Sequence, residues 1–352
     1  MNARFSLEPA TLIIAAMLLL AFPLFSHAQV GLGELGSDLT LRATPSTPGP
    51  GQIVQLSVQS VIFDLTTSHI TWYANDTVLA EGMGVSTATL VAGPIGSETT
   101  VRVEITRQDV SASTEGVIRP TQVDLIWEAV SYVPPFYKGR ALPSAGTSVR
   151  LFAIPRFQFS GSQIPPGELH YTWKQNGKTI PSASGLGRNS ALLNGPVLFG
   201  TDTISVDVRS ANNELTGSAS VRISSVEPKI KLYEEHPIFG ILYNRAFGSQ
   251  VSIPETEATF VAVPYFAPAR SPDDRLLVYR WRVNNTTVPN NPTTPSTITL
   301  NATGSNGQAS MELGLTHATN FFMSVADKWN ISFSAATTGA FGVPDPFGTS
   351  NQ

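Results

Sequence analysis

The sequence contains no cysteine, which excludes disulfide bonds, thiolate metal sites and cysteine nucleophiles. Charged residues make up only 14% of the 352 residues, too few for the Glu- and Lys-rich surfaces of long helices. Basic residues do not exceed acidic ones, and the formal net charge is −4. Because nucleic-acid binding requires a basic surface, a nucleic-acid partner is not expected.

Residue patterns that carry chemistry are also missing. There is no GxSxG nucleophile elbow, and the histidines beyond the N-terminal segment are His69, His170, His236 and His317. None of them is spaced as a zinc-binding pair. His69 and His170 fall on the outward side of a predicted strand and His317 lies amid threonines, so all three are expected to be exposed. We predict no catalytic residue, no cofactor and no metal.

One acidic pair, Asp273-Asp274 in the stretch ARSPDDRL, is a candidate calcium site. Calcium sites draw several oxygen ligands from a patterned loop, which this stretch lacks. Arg270 and Arg275 flank the pair and compete for its carboxylates. We therefore expect a turn flanked by ion pairs.

A short motif is present three times. It reads HITWYANDTVL, LHYTWKQNGKTI and LVYRWRVNNTTV, at residues 69–79, 169–180 and 277–288. Its central tryptophans, Trp72, Trp173 and Trp281, stand about 100 residues apart, the length of an immunoglobulin-type sandwich.

The motif predicts a strand, a tight turn and a second strand. Ile70, Tyr171 and Tyr279 stand two residues before the three tryptophans, so apolar and polar positions alternate as they do in a half-buried strand. Asn-Asp, Asn-Gly and Asn-Asn pairs follow, and asparagine tolerates the positive φ of hairpin turns. The parity places each indole with the apolar residues. We therefore predict that the tryptophans are core residues, and ligand stacking is the alternative.

Longer blocks repeat as well. ATLVAGPIGSETTVRVEI at 88–105 matches ALLNGPVLFGTDTISVDV at 191–208, and LFAIPRF at 151–157 matches FVAVPYF at 260–266. No sustained helical period is present. These repeats predict an all-β chain of three tandem immunoglobulin-like Greek-key sandwiches. The predicted division is a signal peptide at 1–28, sandwiches at 29–118, 119–226 and 227–334, and a disordered tail at 335–352.

The tandem sandwiches with a tryptophan strand resemble the bacterial immunoglobulin-like and PKD-like modules of exported and cell-surface proteins. The resemblance covers roughly residues 39–333. It implies spacer, adhesive or assembly roles and implies that the chain is not an enzyme.

The N-terminus predicts export. Arg4 precedes an apolar run from Thr11 to Phe25, and Ser26-His27-Ala28 supplies the small residues that a signal peptidase reads. Cleavage after Ala28 is the favoured interpretation, and a retained membrane anchor is the second. The third is a type IV prepilin leader, which Phe5-Ser6-Leu7-Glu8 faintly resembles.

We therefore predict a non-enzymatic exported or cell-envelope protein, located outside the cell, in the periplasm or on the surface. It would act as a structural or interaction module whose partner is a protein or a glycan. Membrane contact is expected only through an uncleaved N-terminal segment. The alternatives are a membrane-anchored or type IV pilus-associated assembly component and an accessory part of a carbohydrate-active enzyme.

Two strands predict docking between sandwiches. Residues 151–154 and 260–263 are runs of apolar residues, and a strand apolar on both sides needs cover on both. Two elements without a counterpart in the first sandwich, beginning at 123 and 230, are rich in aromatic residues that could supply this cover, within a sandwich or across a boundary. We expect the second and third sandwiches to pack together and the first to be looser.

Overall fold

The computed structural model describes residues 39–108, 110–253, 257–301 and 307–333, and the regular secondary structure in these ranges is almost entirely β-strand. The only helical elements among them are two short 3-10 turns, at Leu65–Thr67 and Pro166–Glu168. The strands form three successive two-sheet sandwiches. This confirms the predicted all-β class and tandem immunoglobulin-like architecture.

The first sandwich has seven strands. They are β1 (Leu39–Thr44), β2 (Ile53–Ser60), β3 (His69–Ala74), β4 (Thr77–Met83), β5 (Thr87–Val91), β6 (Thr99–Arg107) and β7 (Val110–Ile118). One sheet has the order β1-β2-β5 and the other β4-β3-β6-β7. The chain thus leaves the first sheet after β2, returns for β5 and leaves again, which is the Greek-key crossover.

The second sandwich repeats this order with a small extra hairpin. Its strands are β8 (Gln122–Ala129), β9 (Ser148–Arg156), β10 (Gln158–Phe159), β11 (Ser162–Gln163), β12 (His170–Gln175), β13 (Lys178–Thr179), β14 (Gly185–Leu186), β15 (Ser190–Asn194), β16 (Thr201–Arg209) and β17 (Thr216–Ser224). The sheets are β15-β9-β8 and β13-β12-β16-β17, while β14 pairs with β12 and β10 pairs with β11.

The third sandwich closes with a parallel edge strand. Its strands are β18 (Lys229–His236), β19 (Gly240–Ile241), β20 (Gln250–Ile253), β21 (Glu257–Tyr265), β22 (Leu277–Val283), β23 (Thr286–Val288), β24 (Thr297–Asn301), β25 (Gly307–His317) and β26 (Ser324–Phe333). The sheets are β19-β18-β21-β24 and β20-β26-β25-β22-β23. β20 pairs parallel with β26, and the other pairs are antiparallel.

Trp72, Trp173 and Trp281 each lie fully buried in a separate core. Each indole Nε1 donates a hydrogen bond to a backbone carbonyl oxygen of the segment that returns to the first sheet. The acceptors are Val85 at 2.8 Å, Arg188 at 2.8 Å and Pro295 at 3.0 Å, in sandwich order. This bond satisfies the one polar atom of a buried indole, so the ring can fill the space between the sheets without an unpaired donor.

The asparagine after each tryptophan strand does more than make a turn. Both residues of each turn have positive φ, as Asn75-Asp76, Asn176-Gly177 and Asn284-Asn285 were expected to have. The first asparagine also binds the neighbouring strand. Asn75 donates its N–H to Thr100 O, and its Oδ1 accepts a hydrogen bond from Thr100 N; both distances are 2.9 Å. The other two turns repeat this pair of bonds, so the turn is clamped to the sheet in all three sandwiches.

The cover expected for the two apolar strands is present in only one of them. In β21 the residues from Phe260 to Pro264 are buried on both sides. In β9 the outward-facing Phe152 and Ile154 are 36% and 44% exposed, so the prediction of cover is wrong there. The reason is that the segment expected to cover β9 runs to the third sandwich instead.

The two elements predicted to have no counterpart in the first sandwich, which begin at residues 123 and 230, start with ordinary strands. β8 pairs with β9 as β1 pairs with β2, so it is the counterpart of β1 and not an extra element. What the second sandwich adds is the loop between β8 and β9, residues 130–147, which we call the connecting segment. The third sandwich carries the corresponding addition between β18 and β21.

Candidate functional site: the aromatic joint

Asp273 and Asp274 are used to hold a turn. Asp274 accepts hydrogen bonds from the backbone N–H groups of Arg270 at 2.9 Å and Leu276 at 3.0 Å, which lower the pKa of its carboxyl group. Asp273 Oδ1 accepts from the N–H and the hydroxyl of Ser296, at 3.1 and 2.7 Å. The predicted turn is present, but its flanking ion pairs are not among those formed in the described ranges. Backbone donors satisfy these carboxylates better than the flexible arginines do.

His317 is buried, so its predicted exposure is wrong. Its Nδ1 accepts hydrogen bonds from the N–H groups of Thr319, at 3.2 Å, and Asn320, at 3.0 Å, and the ring thereby holds the turn between β25 and β26. His69 is exposed and His170 is half-buried.

Across the described parts of the chain, no group of three or more His, Cys, Asp or Glu side chains is placed to hold a metal ion. Nor does any helix found there have the length and apolar character needed to cross a membrane. Ala28, the predicted cleavage position, lies outside the described residues.

A groove lies in the second sandwich beside the β10–β11 hairpin. Its volume is about 630 Å³, and Phe159, Ile164 and Leu215 are among the apolar residues that line it. Two of the polar side chains in its wall are bonded to each other, since the Ser210 hydroxyl donates to Asn212 Oδ1 at 2.6 Å, and that hydroxyl also accepts from Leu215 N at 3.1 Å.

The feature that distinguishes this chain is the joint between the second and third sandwiches. The connecting segment leaves β8 and crosses to the third sandwich, where Tyr132 pairs with the end of β21. Tyr132 N donates to Ala267 O, and Phe266 N donates to Tyr132 O; both distances are 2.8 Å. Two backbone hydrogen bonds thus fix the connecting segment of the second sandwich to its neighbour.

Aromatic side chains fill the space around this pairing. Tyr132 packs on Val261, Val263 and Tyr233, the outward-facing residues of β21 and β18. Tyr137 meets the rings of Tyr265 and Phe266 edge-on, with centroids 5.7 and 6.0 Å apart. Edge-to-face aromatic pairs add about 0.5–1.5 kcal/mol each to the free energy of burial.

Hydroxyl groups inside the cluster bind one another. The hydroxyls of Tyr233 and Tyr265 lie 2.6 Å apart. We call this cluster of aromatic side chains the aromatic joint: Tyr132, Tyr137, Tyr233, Tyr243, Tyr265 and Phe266.

Polar bonds hold the rest of the boundary. Asn320 Nδ2 donates to Ala145 O at 2.7 Å, from the third sandwich to the connecting segment. Within the linker, Ser225 N donates to Gly200 O at 3.0 Å and Val226 N donates to Pro143 O at 2.9 Å. The first half of the linker is therefore bonded to the second sandwich.

The first boundary is different in kind. Thr121 N donates to Pro48 O at 3.1 Å, and Gly96 approaches the Gln158 side chain so closely that an added Cβ would meet it at 2.6 Å. No ring contact is among the aromatic pairs found between the first two sandwiches in the described ranges. The first boundary thus lacks the apolar cluster of the second.

The joint and its neighbours are expected to lose stability in alkaline solution. Burial raises the pKa of Tyr132, Tyr233 and Tyr279, and raises the pKa of Tyr171 to about 12. Since these folded-state pKa values exceed the unfolded value of about 10, the stabilisation is complete below pH 10 and is lost as the pH rises through the folded values.

Ultraviolet absorbance of tyrosinate and circular dichroism, followed together, measure this effect. We expect part of the tyrosine titration to coincide with the loss of β-structure. Titration of every tyrosine near its ordinary pKa in a chain that stays folded would contradict it. These four tyrosines lie in the second and third sandwiches, so the first should unfold last.

The similarity of this chain to known proteins is low. No family model matches the chain, and no curated protein matches it. Similar solved structures include the fibronectin(III)-like modules of Clostridium thermocellum CbhA, at 14% identity and a TM-score of 0.26, over 53% of this chain and 94% of that one. The three N-terminal domains of the bacteriophage RB49 Hoc protein match at 13% identity and a TM-score of 0.24, over 84% and 98%. Bacteroides ovatus SGBP-B, solved in complex with a mixed-linkage heptasaccharide, matches at 12% identity and a TM-score of 0.20, over 85% and 71%.

Proposed function

We propose that this chain is a non-enzymatic, exported cell-envelope protein that acts as a structural and interaction module, with the last two sandwiches joined as one stiff unit. The observation that carries the proposal is the aromatic joint. Ordinary boundaries between domains are polar and allow relative motion. Here a segment of one sandwich is built into the face of the next, which suits a spacer that must hold a surface at a fixed distance and angle.

The export part of the proposal rests on the N-terminal sequence. Arg4, the apolar run to Phe25 and the small residues before Gln29 have the order of a secretory signal. N-terminal sequencing of the protein from its native envelope should therefore begin at Gln29. A start at Met1 would favour the anchored alternative.

Stiffness can be measured directly because the chain has no native cysteine. Lys178→Cys and Thr287→Cys place spin labels on exposed, equivalent hairpins of the second and third sandwiches. Thr77→Cys with Lys178→Cys makes the matched pair across the first boundary. Pulsed electron–electron double resonance should give a narrow distance distribution for the pair 178–287 and a broader one for the pair 77–178. Equal widths, or a broader 178–287 distribution, would overturn the proposed stiff unit.

A further inference from the structure

The second and third sandwiches present the same sheet face in two different states. In the third, Val261, Val263 and Tyr233 are buried beneath Tyr132 of the preceding sandwich and Ile241 and Tyr243 of its own loop. The register of β18 with β21 and of β8 with β9 gives the equivalents in the second sandwich, where Tyr233 pairs with Val261 as Ile126 pairs with Phe152. Ile126, Phe152 and Ile154 are 50%, 36% and 44% exposed. We call these three residues the open face.

The open face lacks cover because of how the chain is arranged. Its own connecting segment crosses to the third sandwich, and the first sandwich cannot supply one. The loop after β1, residues 45–52, reads PSTPGPGQ and contains no aromatic residue. The second sandwich therefore has an apolar sheet face that no loop in the described ranges covers. We call such a face the acceptor and the aromatic loop that covers it the donor.

The third sandwich has the reverse condition. Tyr132 precedes Tyr137 by five residues, and Ile238 precedes Tyr243 by five residues in the matching loop. Ile238 and the adjacent Phe239 thus occupy the place of the donor, yet they are 81% and 74% exposed. We call these two residues the apolar tip.

The apolar tip is held in a defined conformation. It is the turn of the β18–β19 hairpin, and His236 Nδ1 accepts hydrogen bonds from the N–H groups of Ile238 at 3.1 Å and Phe239 at 3.3 Å. The ring of His236 also lies against that of Phe239, with centroids 4.8 Å apart. A tip ordered in advance loses little conformational entropy when it binds.

The charges around the open face do not oppose an apolar partner. Arg150 pairs with Glu128 at 2.7 Å and Arg156 with Asp124 at 3.0 Å, on the same two strands. The face is therefore an apolar centre between two neutralised ion pairs, like the polar rim and apolar core of protein interfaces.

We propose that the chain associates with a second copy of itself, the apolar tip of one copy packing on the open face of another as Tyr132 packs on the third sandwich. The donor and acceptor lie on different sandwiches, so the contact is heterologous and each copy can engage two neighbours. This inference rests on the proposed function, because it names the partner of the same assembly module.

The test is sedimentation of the full mature chain from low micromolar to near millimolar concentration. We expect the average mass to grow with concentration. Phe152→Ser with Ile154→Ser removes the acceptor, and Ile238→Ser with Phe239→Ser removes the donor. Each double variant should stay monomeric at concentrations where the wild-type chain begins to associate, with association weakened about tenfold or more. An equimolar mixture should form a complex of two chains and no larger species, since one intact donor and one intact acceptor remain.

A matched control is Val61→Ser with Ile62→Ser, which should leave association unchanged. It changes two apolar residues of the first sandwich that are exposed to an extent similar to those of the apolar tip. A photo-reactive benzoylphenylalanine at position 239 of the otherwise unchanged chain should cross-link to a peptide containing residues 150–156, a readout independent of the serine variants. The proposal is overturned if the wild-type chain is monomeric throughout, if the donor variant still associates, or if the mixture forms no complex. None of these results alters the distance distributions that test the stiff unit, so the two proposals fail separately.

Discussion

Replacing Trp173 with alanine is expected to lower the free energy of unfolding of the second sandwich by about 3–5 kcal/mol. The indole is fully buried in the core between β12 and β9, and its Nε1 bonds to Arg188 O at 2.8 Å. Truncation would leave a cavity that two hydrogen-bonded sheets cannot collapse to fill, and would leave the Arg188 carbonyl without its donor.

Hydrogen–deuterium exchange of the full chain localises the loss. Amides of β12 and β16 should exchange faster, while those of β3 and β6 in the first sandwich should not change, because that sandwich has its own core. Trp127→Ala is the matched control: this ring is only half-buried and lies beneath Arg140, so its removal should cost less. Unchanged protection of β12 in the Trp173→Ala chain would show that the indole does not support the core.

The sequence was most informative where one residue decides local structure. The alternation around each tryptophan predicted which side faces inward, and the Asn pairs predicted turns that need positive φ, because both properties depend on neighbours in the chain. The clamp between Asn75 and Thr100 was not predicted. Its signal was available, since an asparagine stands three residues after the tryptophan in all three copies.

The errors arose where a partner distant in the sequence decides the outcome. Phe152 and Val261 belong to matching apolar runs, yet one is exposed and the other buried, because Tyr132 reaches only the second. His317 was expected to be exposed because its neighbours are threonines; it is buried because two N–H groups of the following turn converge on its Nδ1.

The candidate site was predicted in outline only. The aromatic residues of the connecting segment indicated a cover for a two-sided apolar strand, but composition does not say which strand a loop will reach. That choice depends on the pairing of Tyr132 with Phe266 and Ala267, two backbone hydrogen bonds that any residue could make. The exposed apolar tip follows from the same arrangement and was likewise not predicted.

Replacing Tyr132 with alanine is expected to release the third sandwich from the second. The side chain packs on Val261, Val263 and Tyr233 but is only partly buried, so its removal should weaken docking by about 1–2 kcal/mol, less than the value of a fully buried large side chain. The backbone bonds at this position do not require the ring, but on their own they are exposed to competition from water. Limited digestion with a nonspecific protease measures the release. In the wild-type chain, residues 224–228 should resist cleavage while residues 116–122 are cut.

In the Tyr132→Ala chain both boundaries should be cut at similar rates. We expect the linker bonds of Ser225 and Val226 to the second sandwich, at 3.0 and 2.9 Å, to open more often once the third sandwich is released. Tyr132→Phe is the matched control, because it keeps the ring and removes only the hydroxyl, so most of the protection should remain. If the alanine variant kept both its resistance at 224–228 and the narrow 178–287 distance distribution, Asn320 and the linker bonds would be sufficient to hold the boundary and the ring cluster would not be what stiffens it.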